Sequence, residues 1–143
     1  MNIDLKNWLI QILVIEDDDS TKELIVEALS KSFPLANVHG FKNFVQESFE
    51  EIIKENKYDI ITIDGYLGDW TEHPIFYKNG KNLIPFIKEN SPKTIIIAMS
   101  SGDDLNKEMM EVGASMTIKK TDFLKNGFIK KLFNSDLTLR EVD

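Results

Sequence analysis

The sequence contains no cysteine. Disulfides, thiolate metal sites and a cysteine nucleophile are thereby excluded. Histidine is nearly as scarce: His39 and His73 lie too far apart in the chain to form a metal-ligand pair by spacing. Positive charge is in deficit, with 17 lysines and arginines against 24 aspartates and glutamates and a formal net charge of −7. That balance opposes nonspecific attachment to nucleic acid or to a membrane surface, both of which need a positive field. No direct nucleic-acid or membrane partner is therefore expected. The local exception is the stretch holding Lys119, Lys120, Lys125, Lys130 and Lys131 against Asp122, which reads as a solvated helix face. Long apolar runs are missing too, and none approaches a membrane span. Met1 to Gln11 lacks a basic region followed by a long apolar one, so no secretory signal is expected and the cytoplasm is the expected compartment.

What is present is an ordinary globular mixture. The 143 residues are 42% hydrophobic and 29% charged, enough for a single domain with a substantial core and no need of covalent staples. One domain over residues 1–143 is expected, its core running from about residue 10 to about residue 134. Within it, short apolar runs alternate with helical patterns. Ile12 to Ile15 reads as a strand ending in acids, and a helix follows from about Ser20 with Leu24, Ile25, Ala28 and Leu29 on one face. Asp19 or Ser20 is the expected cap. Asn37 to Phe41 reads as a second strand, followed by a helix from Asn43 that turns Val45, Phe49, Ile52 and Ile53 inward.

Tyr58 to Ile63 is a third strand, ending at Asp64, and Asn79-Gly80 marks a turn. Leu83, Ile84, Phe86 and Ile87 then form a helical stripe, whose start is placed near Asn82 so that Pro85 falls in the first turn. Thr94 to Met99 is a near-continuous apolar strand of the kind buried on both faces. Asp103 to Val112 reads as a helix stopped by Gly113, Met116 to Ile118 as a fifth strand, and Leu124, Phe128, Ile129, Leu132 and Phe133 as the stripe of a last helix. Such alternation predicts a doubly wound α/β fold, with helices on both faces of a parallel sheet. About five units fit the flavodoxin-like strand order 2-1-3-4-5, in which ligands sit beyond the carboxyl ends of the strands.

The residues at those ends are therefore the candidates for chemistry. The first strand ends in Glu16, Asp17, Asp18 and Asp19, the third in Asp64, the fourth in Ser100 and Ser101, the fifth in Lys119 and Lys120. Each type has an ordinary structural use. Acids favour helix N-termini, a serine caps the next helix, an aspartate makes a turn and a lysine is a surface charge. Together at one sheet edge they suggest more. Crowded carboxylates resist ionisation unless a cation compensates them, and a hard divalent ion such as Mg²⁺ suits oxygen ligands where phosphate is also bound. An ammonium and a hydroxyl suit phosphoryl oxygens. A lone carboxylate on the central strand, Asp64, can accept a phosphoryl group as an aspartyl phosphate.

Four segments carry a resemblance. They are Ile12-Leu13-Val14-Ile15-Glu16-Asp17-Asp18, Tyr58 through Asp64-Gly65-Tyr66-Leu67, Ile95-Ile96-Ile97-Ala98-Met99-Ser100-Ser101-Gly102, and Gly113-Ala114-Ser115 through Lys120. In order and spacing they resemble the receiver domains of response regulators in two-component signalling, from about Gln11 to about Phe133. The resemblance implies a phosphoryl-accepting switch rather than an enzyme, one that catalyses at most its own slow phosphorylation and dephosphorylation. Asp64 would be phosphorylated by a histidine kinase or histidine phosphotransfer protein, and the signal would pass by protein contacts to a downstream target. Glu16, Asp17, Asp64 and the backbone carbonyl of Tyr66 would hold Mg²⁺. Ser100 and Lys120 would bind the phosphoryl oxygens, and Ser101 would stand where the family prefers a small residue giving access to the acceptor.

There are departures from the family pattern. Glu16 stands where aspartate is commoner, Thr121 follows the lysine in place of proline, and Thr117 occupies a position commonly aromatic. Asp69 to Asn79 resembles an insertion after the acceptor, rich in aromatic residues, that reads equally as a partner surface, a lid or plain packing. No second domain follows before Asp143, so a stand-alone module is expected. A receiver-like binding domain that has lost phosphorylation is disfavoured by the complete acid, hydroxyl and lysine set. An aspartate-nucleophile phosphatase is disfavoured because Tyr66 occupies the position of its second aspartate.

Overall fold

A computed structural model describes residues 9–41, 46–65, 80–100 and 103–133. Five strands, β1 (Gln11–Ile15), β2 (Asn37–Phe41), β3 (Ile60–Asp64), β4 (Ile95–Met99) and β5 (Met116–Ile118), form one sheet in the order β2-β1-β3-β4-β5. All four pairings are parallel, with Ile12 between Val38 and Ile60, and Ala98 between Ile63 and Thr117. This is the flavodoxin-like order expected from the alternation of apolar runs and helical stripes.

Side chains alternate across a strand, so each apolar run feeds two cores. Leu13, Ile15, Ile61, Ile63, Ile96 and Ala98 face one cluster, which includes Phe49 and Ile53 of α2 (Gln46–Glu55), Ile84 and Ile87 of α3 (Ile84–Asn90), and Met109 of α4 (Asp103–Glu111). Ile12, Val14, Ile60, Ile97 and Met99 face the other, with Ile25 and Leu29 of α1 (Asp19–Ser32), Phe123 of α5 (Lys120–Phe123) and Ile129 and Leu132 of α6 (Phe128–Leu132). The cost of such double burial is visible at Thr62, in mid-β3. It is fully buried, and its Oγ1 has no hydrogen-bond partner among the described residues, a loss of about 1–3 kcal/mol for a desolvated polar group.

Several boundaries and faces differ from expectation. The cap of α1 is Asp18, not Asp19 or Ser20. Its extended backbone (φ −88°, ψ 117°) lets its carboxylate accept from the Thr21 backbone N–H at 2.8 Å and from the Thr21 hydroxyl at 2.6 Å. These two bonds hold the Asp18 carboxyl below its ordinary pKa. Leu24 is not inward: it is 54% exposed, because the buried stripe of α1 runs through Ile25, Leu29 and Ser32. The expected start of the second helix at Asn43, and Val45 with it, lie outside the described residues. The helix expected from Asn82 begins at Ile84. Residues Gly80–Asn82 form a 3₁₀ turn, with Leu83 N–H donating to the Gly80 carbonyl at 3.0 Å, and Pro85 sits in the first turn that follows. α4 stops as expected at Gly113, which adopts φ 116°, open to glycine at little cost.

The last helix is two. The stripe Leu124, Phe128, Ile129 and Leu132 has helical spacing, but Gly127 takes φ 78° and divides it into α5 and α6. The buried ends still reach the core, through Phe123, Ile129, Leu132 and Phe133. Lys119, Lys125, Lys130 and Lys131 lie on the solvated side, as expected of the basic stretch, whereas Lys120 turns inward.

Candidate functional site

Parallel pairing brings the carboxyl ends of β1, β3, β4 and β5 to one edge. Glu16 and Asp17 follow β1 directly, and Asp64 is the last residue of β3. Ligand oxygens of these three residues lie within 4.8 Å of one another. Lys120 reaches them from the first turn of α5, not from the strand. Its Nζ lies 2.7 Å from Glu16 Oε1 and 3.0 Å from Asp64 Oδ1. The geometry thus gathers Glu16, Asp17, Asp64 and Lys120, and leaves Asp18 to its capping role.

Burial makes this cluster electrostatically tense. Glu16 is fully buried, and the loss of water pushes its carboxyl up to about 9. Asp64 beside it contributes to that rise, and Lys120 opposes it. Asp17 is raised for the same reasons, burial first and then Asp64. Burial alone would lower the Lys120 ammonium, but its bonds to Glu16 and Asp64 outweigh that and hold it above the ordinary lysine value. One ammonium is too little positive charge for three crowded carboxylates, so near neutral pH the cluster keeps a proton or takes a further cation. A hard oxygen-only donor set of this kind fits a divalent ion, to be held by Glu16, Asp17 and Asp64.

Ser100 follows β4 and is buried. Its hydroxyl donates to Asn106 Oδ1 of α4 at 3.0 Å. Tyr66, Ser101 and the segment Asp69–Asn79 lie outside the described residues. Thr117 is half-buried in β5, opposite Ala98.

Three further residues shape the site without having been singled out for it in the sequence. Gly65 N–H donates to the Met99 carbonyl at 2.7 Å, tying β3 to β4 just past Asp64. Gly80 N–H donates to the Gly65 carbonyl at 3.0 Å, closing the chain back onto the strand end. A methyl group on Gly80 would collide with the backbone carbonyl oxygen of Asp64 and come within 2.6 Å of Ile63 Cγ2. The Asn79-Gly80 turn signal could have suggested this position; for Asn106 the sequence offers no signal.

That collision gives an expected result. Gly80→Ala should lower stability by about 2–3 kcal/mol in denaturant unfolding, since the nearest clashing atom is a backbone oxygen that cannot rotate away. A change below about 0.5 kcal/mol would show that the turn relaxes freely.

Comparison with known proteins agrees with this geometry. The family model of the response regulator receiver domain matches residues 12–135. The chain belongs to the response regulator receiver family. Solved receiver structures share its fold. A response regulator from Thermotoga maritima is 25% identical, with 86% of this chain and 94% of that one covered and a TM-score of 0.64. The BeF3-activated DrrB receiver domain is 22% identical, with coverage of 86% and 94% and a TM-score of 0.65. A Burkholderia pseudomallei response regulator with a phosphorylated aspartic acid, a calcium ion and citrate is 17% identical, with coverage of 84% and 69% and a TM-score of 0.63. Among curated proteins none matches the sequence. No helix among the receiver domain's described residues is long and apolar enough to cross a membrane.

Proposed function

We propose that residues 1–143 form one receiver domain that takes a phosphoryl group on Asp64 from a histidine kinase or histidine phosphotransfer protein, with Mg²⁺ held by Glu16, Asp17, Asp64 and the Tyr66 carbonyl. The observation that carries this reading is the Lys120 ammonium between Glu16 and Asp64 at the sheet edge, with Asp17 beside them. The Burkholderia relative with its phosphorylated aspartate and bound calcium supports it by analogy.

In the proposed reaction an Asp64 carboxylate oxygen forms a bond to phosphorus, the P–N bond of the donor phosphohistidine breaks, and the leaving imidazole takes up a proton. Lys120 then exchanges part of its contact with Asp64 for the incoming phosphoryl oxygens. Ser100 supplies a hydroxyl to the same oxygens. A bound Mg²⁺ neutralises phosphoryl charge that three carboxylates would otherwise repel. The domain acts as a phosphoacceptor switch in the cytoplasm, read by a downstream protein through contacts on its surface.

The test is incubation with Mg²⁺ and acetyl phosphate, followed by intact mass. One phosphoryl group is expected, and excess chelator should prevent its uptake. An unchanged mass at saturating Mg²⁺ and donor would overturn the reading.

A further inference from the structure

The Ser100 hydroxyl has a single proton, and in the unmodified domain it goes to Asn106 Oδ1 at 3.0 Å. Asn106 is half-buried on α4, and its neighbours on that helix sit against the acceptor strand. A methyl group built on Gly65 would lie 2.7 Å from Leu105 Cδ2, 2.9 Å from Ser100 Cβ and 3.0 Å from Met109 Cε. The residue after the acceptor, the serine after β4 and two side chains of α4 are therefore in close packing, and the Ser100–Asn106 bond is a polar tie within that unit.

We propose that Asn106 is a positioning residue: it holds the Ser100 hydroxyl toward α4 while Asp64 is unmodified, and loses it to the phosphoryl group when Asp64 is occupied. The inference rests on the phosphoryl-acceptor reading and extends it to a residue outside the acid, hydroxyl and lysine set. A hydroxyl cannot donate its one proton to two acceptors. A phosphoryl oxygen carries charge, and charge-assisted hydrogen bonds are about twice as strong as neutral ones, so the phosphoryl group wins the competition. The lost bond counts against the modified state. Breaking it also removes a polar tie between the residue after β4 and α4, so occupancy of Asp64 is passed to that helix by one hydrogen bond.

The test uses the full chain with Mg²⁺ and beryllofluoride, a phosphoryl mimic, and measures apparent affinity. Removing the competing acceptor in Asn106→Leu or Asn106→Ala should tighten binding about twofold to tenfold, the worth of one neutral hydrogen bond. In a Ser100→Ala background the same substitutions should change nothing, because no proton remains to compete for. Two variants at Asn106 are used so that a folding defect in one does not decide the result, and thermal unfolding checks both. Unchanged affinity in the Asn106 variants, or an equal effect with and without the Ser100 hydroxyl, overturns the inference while leaving the acceptor reading intact. A wild-type chain that binds no beryllofluoride at saturating Mg²⁺ overturns the acceptor reading, and the inference falls with it.

Discussion

Asp64→Asn is expected to abolish phosphoryl uptake, leaving the intact mass unchanged under conditions that fully modify the wild-type chain. The amide keeps the size of the carboxylate and one acceptor oxygen, but its NH2 donates where an oxygen accepted, and it has no anionic oxygen to form the bond to phosphorus. Its neighbours should behave differently. Asp17→Asn keeps the acceptor and loses one charged oxygen of the cluster, so it should still be modified but need more Mg²⁺ for half-maximal uptake. Asp18→Ala should be modified normally and be less stable in denaturant unfolding, because its carboxylate is committed to the Thr21 N–H and hydroxyl. Adjacent acids in the sequence thus divide by geometry, Glu16 and Asp17 into the carboxylate cluster and Asp18 into a helix cap. A phosphoryl group that persists in Asp64→Asn would place the acceptor elsewhere in the cluster.

The same acidic run marks how far the sequence could be read. The acids after β1 pointed to a carboxylate cluster, yet the cap was expected at Asp19 or Ser20 and is Asp18. Which one caps depends on which backbone is extended and which side chain reaches an unpaired N–H, and that is set where β1 turns into α1. The strands were legible because β1, β3 and β4 are buried on both faces, so their apolar runs are nearly unbroken and need no periodic pattern. β3 ends at Asp64 as expected, since pairing with Met99 carries the ladder through the aspartate, but it begins at Ile60 rather than Tyr58.

Helical faces were less legible. Leu24 lies one residue from the buried stripe of α1 and is exposed for that reason alone. Leu124 and Phe128 have the spacing of one helix but are divided by a glycine in a left-handed conformation. Periodicity reports spacing along an unbroken helix and cannot report a break within it. Lys120 could be placed at the sheet edge from sequence, but not its approach from the first turn of α5. Asn106 was beyond reach, because its importance depends on the close approach of α4 to Gly65, a tertiary contact with no periodic or compositional trace.

Removing the Lys120 charge should destabilise the metal-free protein in a way that depends on pH. Lys120 is only 28% exposed, and its ammonium lies between fully buried Glu16 and nearly buried Asp64. Withdrawing one partner from a buried charge cluster costs about 3 kcal/mol, and that is the loss expected for Lys120→Met at about pH 8–9. The sign of the pH dependence follows from Glu16. Its carboxyl is raised in the folded protein from 4.5 to about 9, so the folded state binds more protons than the unfolded state between those values. Its contribution to stability is fully present below about pH 4.5 and is lost as pH rises through about 9. The metal-free wild type should therefore weaken across that window. Asp17, also raised, adds to the slope in the same direction. Lys120 pulls Glu16 down, so without it Glu16 is raised further and the slope extends to higher pH. Near pH 5 the protons do part of the lysine's work, and the gap between variant and wild type should narrow to about 1 kcal/mol. Mg²⁺ taken up by the ionised carboxylates would compete with those protons, so it should stabilise both proteins more at about pH 8 than at about pH 5, and recover part of the loss in the variant. Denaturant unfolding of both proteins, with Mg²⁺ and with chelator, measures all four arms. A Lys120→Met loss that is the same at both pH values, or an absence of Mg²⁺ stabilisation at the higher one, would show that the three carboxylates do not act as a single coupled, cation-dependent cluster.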